Sequence, residues 1–358
     1  MNRDISVEFS RIIACLMVIG IHISLAVYHD GYFDGSRLGF ACLVADAVGI
    51  FWLILGFFLF NNTSYTKLLK KTAIHIGVPA LLFNLFAFYF GEWIVEGVSL
   101  KESMLHSMNE YADVLRGFLR WNSPIKYGGH LWYINVYLLI IFVYPVLKAT
   151  IQYLDEKIER QKAFLIITFA AFVVNDIVKN DLFQFSHHSI NALFPAAIIA
   201  MWGHIIYKHK ETLAAKKNII GAVLVFIVLN IIRLFLQLHF YNVGAGDSLL
   251  FWYSSIGVVC ASCVVIFSFC LKDVIAGKAI VQNAVSVLAD HTFNIYLVHF
   301  FVIYILERLN FQEWLYHRTQ FEWVYMILLI CVVFSGSIMI SVCLKRVRYL
   351  IQKKIKKS

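Results

Sequence analysis

Charge is what this chain is short of. Asp, Glu, Lys and Arg make up 15% of its 358 residues, against roughly 25% in a soluble globular domain. Hydrophobic residues account for 60% and the mean hydropathy is +0.74. This balance excludes an ordinary soluble domain and reads as an integral membrane protein. A net charge of +9 would point a soluble chain toward nucleic acid. Here the basic residues fall in short loops between apolar runs and at the C-terminus, where they set membrane topology, so no nucleic-acid partner is expected.

Other absences narrow the reading. No internal repeat is visible. The seven cysteines (Cys15, Cys42, Cys260, Cys263, Cys270, Cys331 and Cys343) all lie in apolar segments and read as small buried hydrophobes. Cys260 and Cys263 form a C-x-x-C without a redox context, so neither a disulfide nor a metal is expected. The N-terminal apolar run lacks a cleavage-site pattern and contains Arg11 and His22, so it reads as a retained span.

What is present is a series of apolar windows about 20 residues long, the length that crosses a bilayer as α-helix. They fall near 7–28, 38–60, 73–95, 130–149, 163–179, 190–207, 218–237, 250–271, 293–309 and 322–344. With the N-terminus inside, 22 of the 31 Lys and Arg residues lie on the cytoplasmic side, seven of them in the tail. The sequence therefore predicts an all-α polytopic membrane protein of about ten transmembrane helices, with N- and C-termini cytoplasmic. A membrane domain occupies 1–344, and a basic cytoplasmic tail, 345–358, suits an anionic lipid surface. The longest outer connection, 96–129, spaces Met104, Leu105, Met108, Tyr111, Leu115 and Phe118 at near-helical intervals, which predicts an amphipathic helix on the outer interface.

The first span carries the densest chemistry. Glu8, Arg11 and His22 read E-x-x-R-x10-H. Glu8 and Arg11 can pair one turn apart. Arg11 and His22 are about three turns and roughly 16 Å apart on nearly one face. Arg11 can snorkel to an interface, whereas a histidine inside the span needs hydrogen-bond partners and is a functional candidate by default. Entering the third span, Lys70, Lys71 and His75 lie at the same level as Arg11, and two such cationic groups at a cavity mouth suit a polyphosphate ligand. At the outer edge of the fourth span, His130, Trp132, Tyr133 and Asn135 follow Gly128 and Gly129 and offer hydrogen-bonding and stacking groups at headgroup level. The ninth span brings Tyr296 and His299 together within one turn. Asp46 and Glu92 are further ionisable residues in spans, and His187-His188 reads as a solvated loop.

These motifs resemble the integral membrane acyltransferase 3 family. The resemblance runs along most of the chain: E-x-x-R-x10-H at Glu8, Arg11 and His22; a Phe-rich second span ending at Gly56; H-I-G-V-P from His75; H-L-W-Y from His130; and H-T-F-N-I-Y-L-V-H from His291 to His299. Within the family it is most similar to the ten-span bacterial O-acetyltransferases of surface polysaccharides, such as those acting on enterobacterial common antigen. Thr72 and His75 stand where the family often has an R-x-x-R pair, and Gly49 and Leu55 where it usually has Pro and Ser.

The resemblance implies an acyl-CoA-dependent O-acetyltransferase of the bacterial inner membrane. Acetyl-CoA is the expected co-substrate, with no metal, and its phosphates would meet Arg11, Lys70, Lys71 and His75. His22 would act as general base, with Glu8 and His299 as further catalytic groups. His130, Trp132, Tyr133, Asn135 and Tyr296 would bind a polysaccharide or lipid-linked oligosaccharide acceptor, and either His299 or Tyr296 would face the developing oxyanion. Composition and topology also suit a flippase or transporter of lipid-linked glycans, or a polysaccharide polymerase; the E-x-x-R-x10-H spacing and the H-L-W-Y motif favour acyl transfer.

Overall fold

A computed structural model describes residues 4–24, 28–29, 32–62, 64–119, 127–178, 190–242, 252–319 and 321–355. Helix α1 (Ile5–Ser24) leads to a short antiparallel pair, β1 (Tyr28–His29) and β2 (Tyr32–Phe33). Asp34 then caps α2 (Gly35–Val44), its Oδ1 accepting from the amides of Ser36 at 2.8 Å and Arg37 at 3.2 Å. After a break at Ala45-Asp46 comes α3 (Ala47–Leu59). The third run is α4 (Tyr65–Thr72), a π turn (Ala73–Gly77) and α5 (Val78–Val95), and α6 (Leu100–Leu119) follows. The middle of the chain holds α7 (Trp132–Phe142), α8 (Tyr144–Asp155), α9 (Ile158–Val178), α10 (Leu193–Lys208), α11 (Lys210–Leu213) and α12 (Lys217–Asn242). The last part holds α13 (Ser255–Cys270), α14 (Lys272–Ala276), α15 (Ala279–Ala289), α16 (Thr292–Arg308), α17 (Phe311–Arg318) and α18 (Glu322–Ile355).

Among the described residues, each of the ten apolar windows coincides for most of its length with one helix or two successive ones. Among the described residues, six helical runs are long and apolar enough to cross a membrane, or eight if each of two bent pairs is one span. The bend of 68° between α7 and α8 falls at Pro145, which has no N–H to give the carbonyl of Ile141. The second bend, 63°, separates α15 from α16. Helices α10 and α13 have 16 residues each, about 24 Å of helix against a hydrocarbon layer of about 30 Å. They are interior helices, buried along most of their length. Helix α10 meets α3 backbone to backbone. A Cβ on Gly56 would stand 1.7 Å from the Ala200 carbonyl oxygen, and one on Gly203 would stand 2.0 Å from that of Leu53. Paired small residues allow such close approach between apolar helices.

The packing adds to two expectations. The amphipathic helix exists as α6, and it folds back along α5. The Ser103 hydroxyl donates to the Tyr89 carbonyl at 2.8 Å and that of Ser107 donates to the Phe88 carbonyl, while Met104, Leu105, Met108 and Tyr111 remain exposed. Arg233, which the charge count assigns to the outer side, is fully buried within α12 and so marks neither side. His187 and His188 lie outside the described residues.

Candidate active site

Helices α1, α3, α4, α7 and α16 line a half-open cavity of about 430 Å³. One part of its wall is basic and polar: Arg11, Lys71, Thr72 and His75. The sequence places a proline at position 79, so the His75 carbonyl has no amide donor four residues on, and the chain responds with a π turn in which the Val78 amide donates to Ala73. That turn brings His75 and Ile76 to the cavity. Arg11 lies opposite on α1, its Nη1 3.0 Å from Glu8 Oε2, so the expected pairing one turn apart is present. The two cationic groups expected at one level thus share one cavity. Lys70 is the exception: it is exposed and does not line the cavity.

The wall is also aromatic, with Tyr133, Tyr137, Phe293 and Tyr296. Tyr133 stacks on the fully buried Trp52 at 4.0 Å, and the Tyr296 hydroxyl donates to the His130 carbonyl. Behind this wall three histidines from separate segments meet. The ring centroids of His22 and His299 are 5.5 Å apart, and those of His130 and His299 are 5.0 Å apart. Phe300 touches all three, 4.4 Å from His22, 4.6 Å from His130 and 5.1 Å from His299. Tyr296 is the link between cavity and cluster, 6.0 Å from His299 and 5.6 Å from His130.

The surroundings fix the protons on two of these rings. His299 Nδ1 lies 2.7 Å from the Tyr296 carbonyl oxygen and 3.2 Å from that of Ile295, so Nδ1 carries the hydrogen and Nε2 the lone pair. His130 Nε2 donates to the Leu297 carbonyl at 3.1 Å, which leaves its lone pair on Nδ1. Both lone pairs are buried without a hydrogen-bond partner among the described residues.

Several expectations are revised by this geometry. His130 is not a surface group: the turn Gly129–Leu131 folds inward and leaves it 4% exposed, stacked on Phe300. His22 stands in the last turn of α1. A neutral His299 with its N–H held by the backbone offers an acceptor, and the Tyr296 hydroxyl is already given to a carbonyl, so neither is free to donate to an oxyanion. Trp132 stacks on Trp252 at 5.9 Å, and neither it nor Asn135 lines the cavity.

Other members of the site received no role from motif reading. Thr72, Tyr137 and Thr292 line the cavity, and Phe300 joins the histidines. Only the position of Phe300 next to His299 hinted at its place. The fully buried pair of Asp46 and Arg233 is the largest omission. Its signal was an Arg in one apolar span and an Asp in another.

Among the described residues no group of three His, Cys, Asp or Glu side chains could hold a metal ion. No curated protein and no solved structure matches the chain. The acyltransferase 3 family model, an acyltransferase domain, matches residues 4–342, which takes in α1, the cavity and all three clustered histidines. The chain belongs to the acyltransferase 3 family of membrane acyltransferases.

Proposed function

We propose that this protein transfers an acetyl group from cytoplasmic acetyl-CoA to a sugar hydroxyl of a surface polysaccharide or its lipid-linked precursor, of the kind represented by enterobacterial common antigen, in the bacterial cytoplasmic membrane. The observation that carries the reading is the layout of one cavity: Arg11, Lys71 and His75 in its wall, and beyond its aromatic wall the clustered histidines. Phosphates of CoA suit the cationic groups, because charge-assisted contacts are the strong ones. The pantetheine arm then runs along α1 toward Tyr296. The roughly 16 Å of helix between Arg11 and His22 is comparable to that arm. Tyr296 stands where the arm passes from the cavity to the histidines.

In this reading His22 takes the proton from the attacking hydroxyl as the oxygen bonds to the thioester carbonyl carbon. The carbon–sulfur bond breaks and the proton passes to the departing thiolate. Glu8 holds Arg11 in place from one turn below. His130 and Tyr296 border the space where donor and acceptor meet, and Tyr133 braces it through Trp52.

The test is acetyl transfer by purified protein from radiolabelled acetyl-CoA to the glycan fraction of host membranes, with loss of label on mild alkali to identify an ester. A protein that moves glycan across the bilayer without consuming acetyl-CoA is a transporter instead. In the same preparation Arg11→Ala should weaken acetyl-CoA binding roughly 10- to 150-fold, the equivalent of about 1.5–3 kcal/mol for a charge-assisted contact. Unchanged binding would return Arg11 to a purely topological role.

Ten spans with both termini in the cytoplasm complete the proposal. Reporter fusions near Lys70, Lys157, Lys210 and Lys278 and at the C-terminus should then report cytoplasm, and fusions near Asn242 and Trp314 the opposite side. An external C-terminus would rule out the even-numbered topology.

A further inference from the structure

We propose that Lys148 binds the 3′-phosphate of the CoA nucleotide and so makes the donor site selective for CoA over 3′-dephospho-CoA. The inference rests on the acyl-CoA-dependent reading above and deepens it.

The setting of Lys148 singles it out. It is half-buried in α8, and its Nζ donates to the backbone carbonyl of Asn62, a neutral group. Every other Lys or Arg that is not exposed, among the described residues, is paired with a carboxylate, as Arg11 is with Glu8, Lys210 with Asp4 and Arg160 with Glu156. Holding an ammonium group partly out of water costs free energy when only neutral groups face it. Lys148 has no acidic partner among the described residues, so its charge and its remaining N–H groups are left for an anion.

The fold fixes this cation at the cavity's edge. The 68° bend at Pro145 turns α8 off the line of α7. Tyr144 and Lys148, one turn apart on α8, then meet the chain just past α3. The Tyr144 hydroxyl donates to the same Asn62 carbonyl at 2.6 Å, and Lys148 Nζ stands 5.7 Å from the centre of the Tyr144 ring. Asn62 lines the cavity, as do Lys71, Thr72 and His75. The lysine is therefore held in place before a ligand arrives, which lowers the entropy lost on binding.

Charge decides what the cation is for. CoA carries a diphosphate and, in addition, a 3′-phosphomonoester of about −1.5 to −2 charges at neutral pH. In the cavity wall Arg11 is offset by Glu8, so Lys71 and His75 supply most of what the diphosphate meets. A half-open cavity of about 430 Å³ takes the acyl and pantetheine parts and leaves the nucleotide at the rim, beside Asn62 and Lys148. There the 3′-phosphate meets a cation that no carboxylate neutralises, a charge-assisted contact of the strong kind. A phospholipid headgroup offers similar phosphate chemistry. The hold of Lys148 on a cavity-lining residue favours the nucleotide, and the two sources separate by experiment.

Isothermal calorimetry on purified protein in detergent, with CoA and with 3′-dephospho-CoA, needs no acceptor. Wild type should bind CoA roughly 10-fold or more tightly than 3′-dephospho-CoA, the size of one charge-assisted contact. Lys148→Met should lose that margin and bind the two compounds alike, whereas Lys148→Arg should keep it. In the acetyl-transfer assay the same pattern should appear in KM for acetyl-CoA and its 3′-dephospho analogue. Absence of a preference in wild type overturns the proposal. So does a preference that survives in Lys148→Met, as it would if the lysine met only a lipid headgroup. An equal loss of both compounds in Lys148→Met overturns it too, by making the lysine a brace for Asn62. If wild type binds neither compound, the donor reading fails and this inference fails with it; if the preference behaves as expected but no acetyl reaches glycan, the Lys148 site stands and the acetyl-transfer reading alone fails.

Discussion

His22→Ala is expected to lower acyl transfer roughly 10²- to 10⁴-fold, the usual contribution of a positioned general base, while acetyl-CoA binding stays near the wild-type value. The separation of the two effects follows from the geometry of α1. Arg11 lines the cavity, whereas His22 faces His299 and Phe300 beyond the tyrosine wall. Eleven residues of helix, roughly 16 Å, lie between them. The substitution also raises the apolar character of the helix, so insertion into the membrane should be unimpaired. Isothermal calorimetry with acetyl-CoA and the transfer assay on one preparation measure both quantities. Near wild-type transfer by the variant would make His22 a structural polar residue, and loss of binding together with transfer would place it in the donor site.

The contrast between what was legible in the chain and what was not has physical causes. Apolar length reveals a helix whatever it packs against, so all ten windows coincide for most of their length with helices among the described residues. Spacing within one helix is equally readable, and the pairing of Glu8 with Arg11 follows from it directly. Adjacency between helices is another matter. Nothing in the periodicity of α16 says that His299 will sit beside His22, because that contact depends on how α1, α7 and α16 pack together. Family resemblance supplied the association, and the fold supplied the distances. The same limit hid the protonation pattern of the histidines. The tautomer of His299 is set by carbonyls of its own helix, but the two rings beside it come from other segments. The burial of His130 was hidden for a related reason. A histidine after two glycines at the edge of a span reads as an interfacial residue, and only the inward fold of its turn against α16 buries it.

The buried pair of Asp46 and Arg233 illustrates that limit with the largest consequence for stability. Asp46 sits at the break between α2 and α3, where its own φ of −89° and ψ of 4° depart from helical geometry. Arg233 enters from α12 and closes the break. Its Nη2 lies 2.6 Å from one carboxylate oxygen of Asp46 and its Nη1 3.1 Å from the other, and Nη1 also donates to the Cys42 carbonyl at 2.7 Å. Asn230 adds an acceptor at 3.2 Å. Both side chains are 0% exposed. Removing one partner leaves a buried charge uncompensated, at a cost of about 3–5 kcal/mol, whereas replacing both with apolar residues of similar volume is often nearly neutral. Asp46→Leu and Arg233→Met are therefore each expected to lower the melting temperature in detergent sharply, and the double variant to recover most of that loss. The pair also bears on the site, since α3 supplies Phe51, Ile54, Leu55, Phe58 and Leu59 to the cavity. Each single variant that still folds should raise KM for acetyl-CoA, and the double variant should bring it back toward wild type. If instead the two single effects simply add in the double variant, the residues are not energetically coupled, and another contact holds α3 in place.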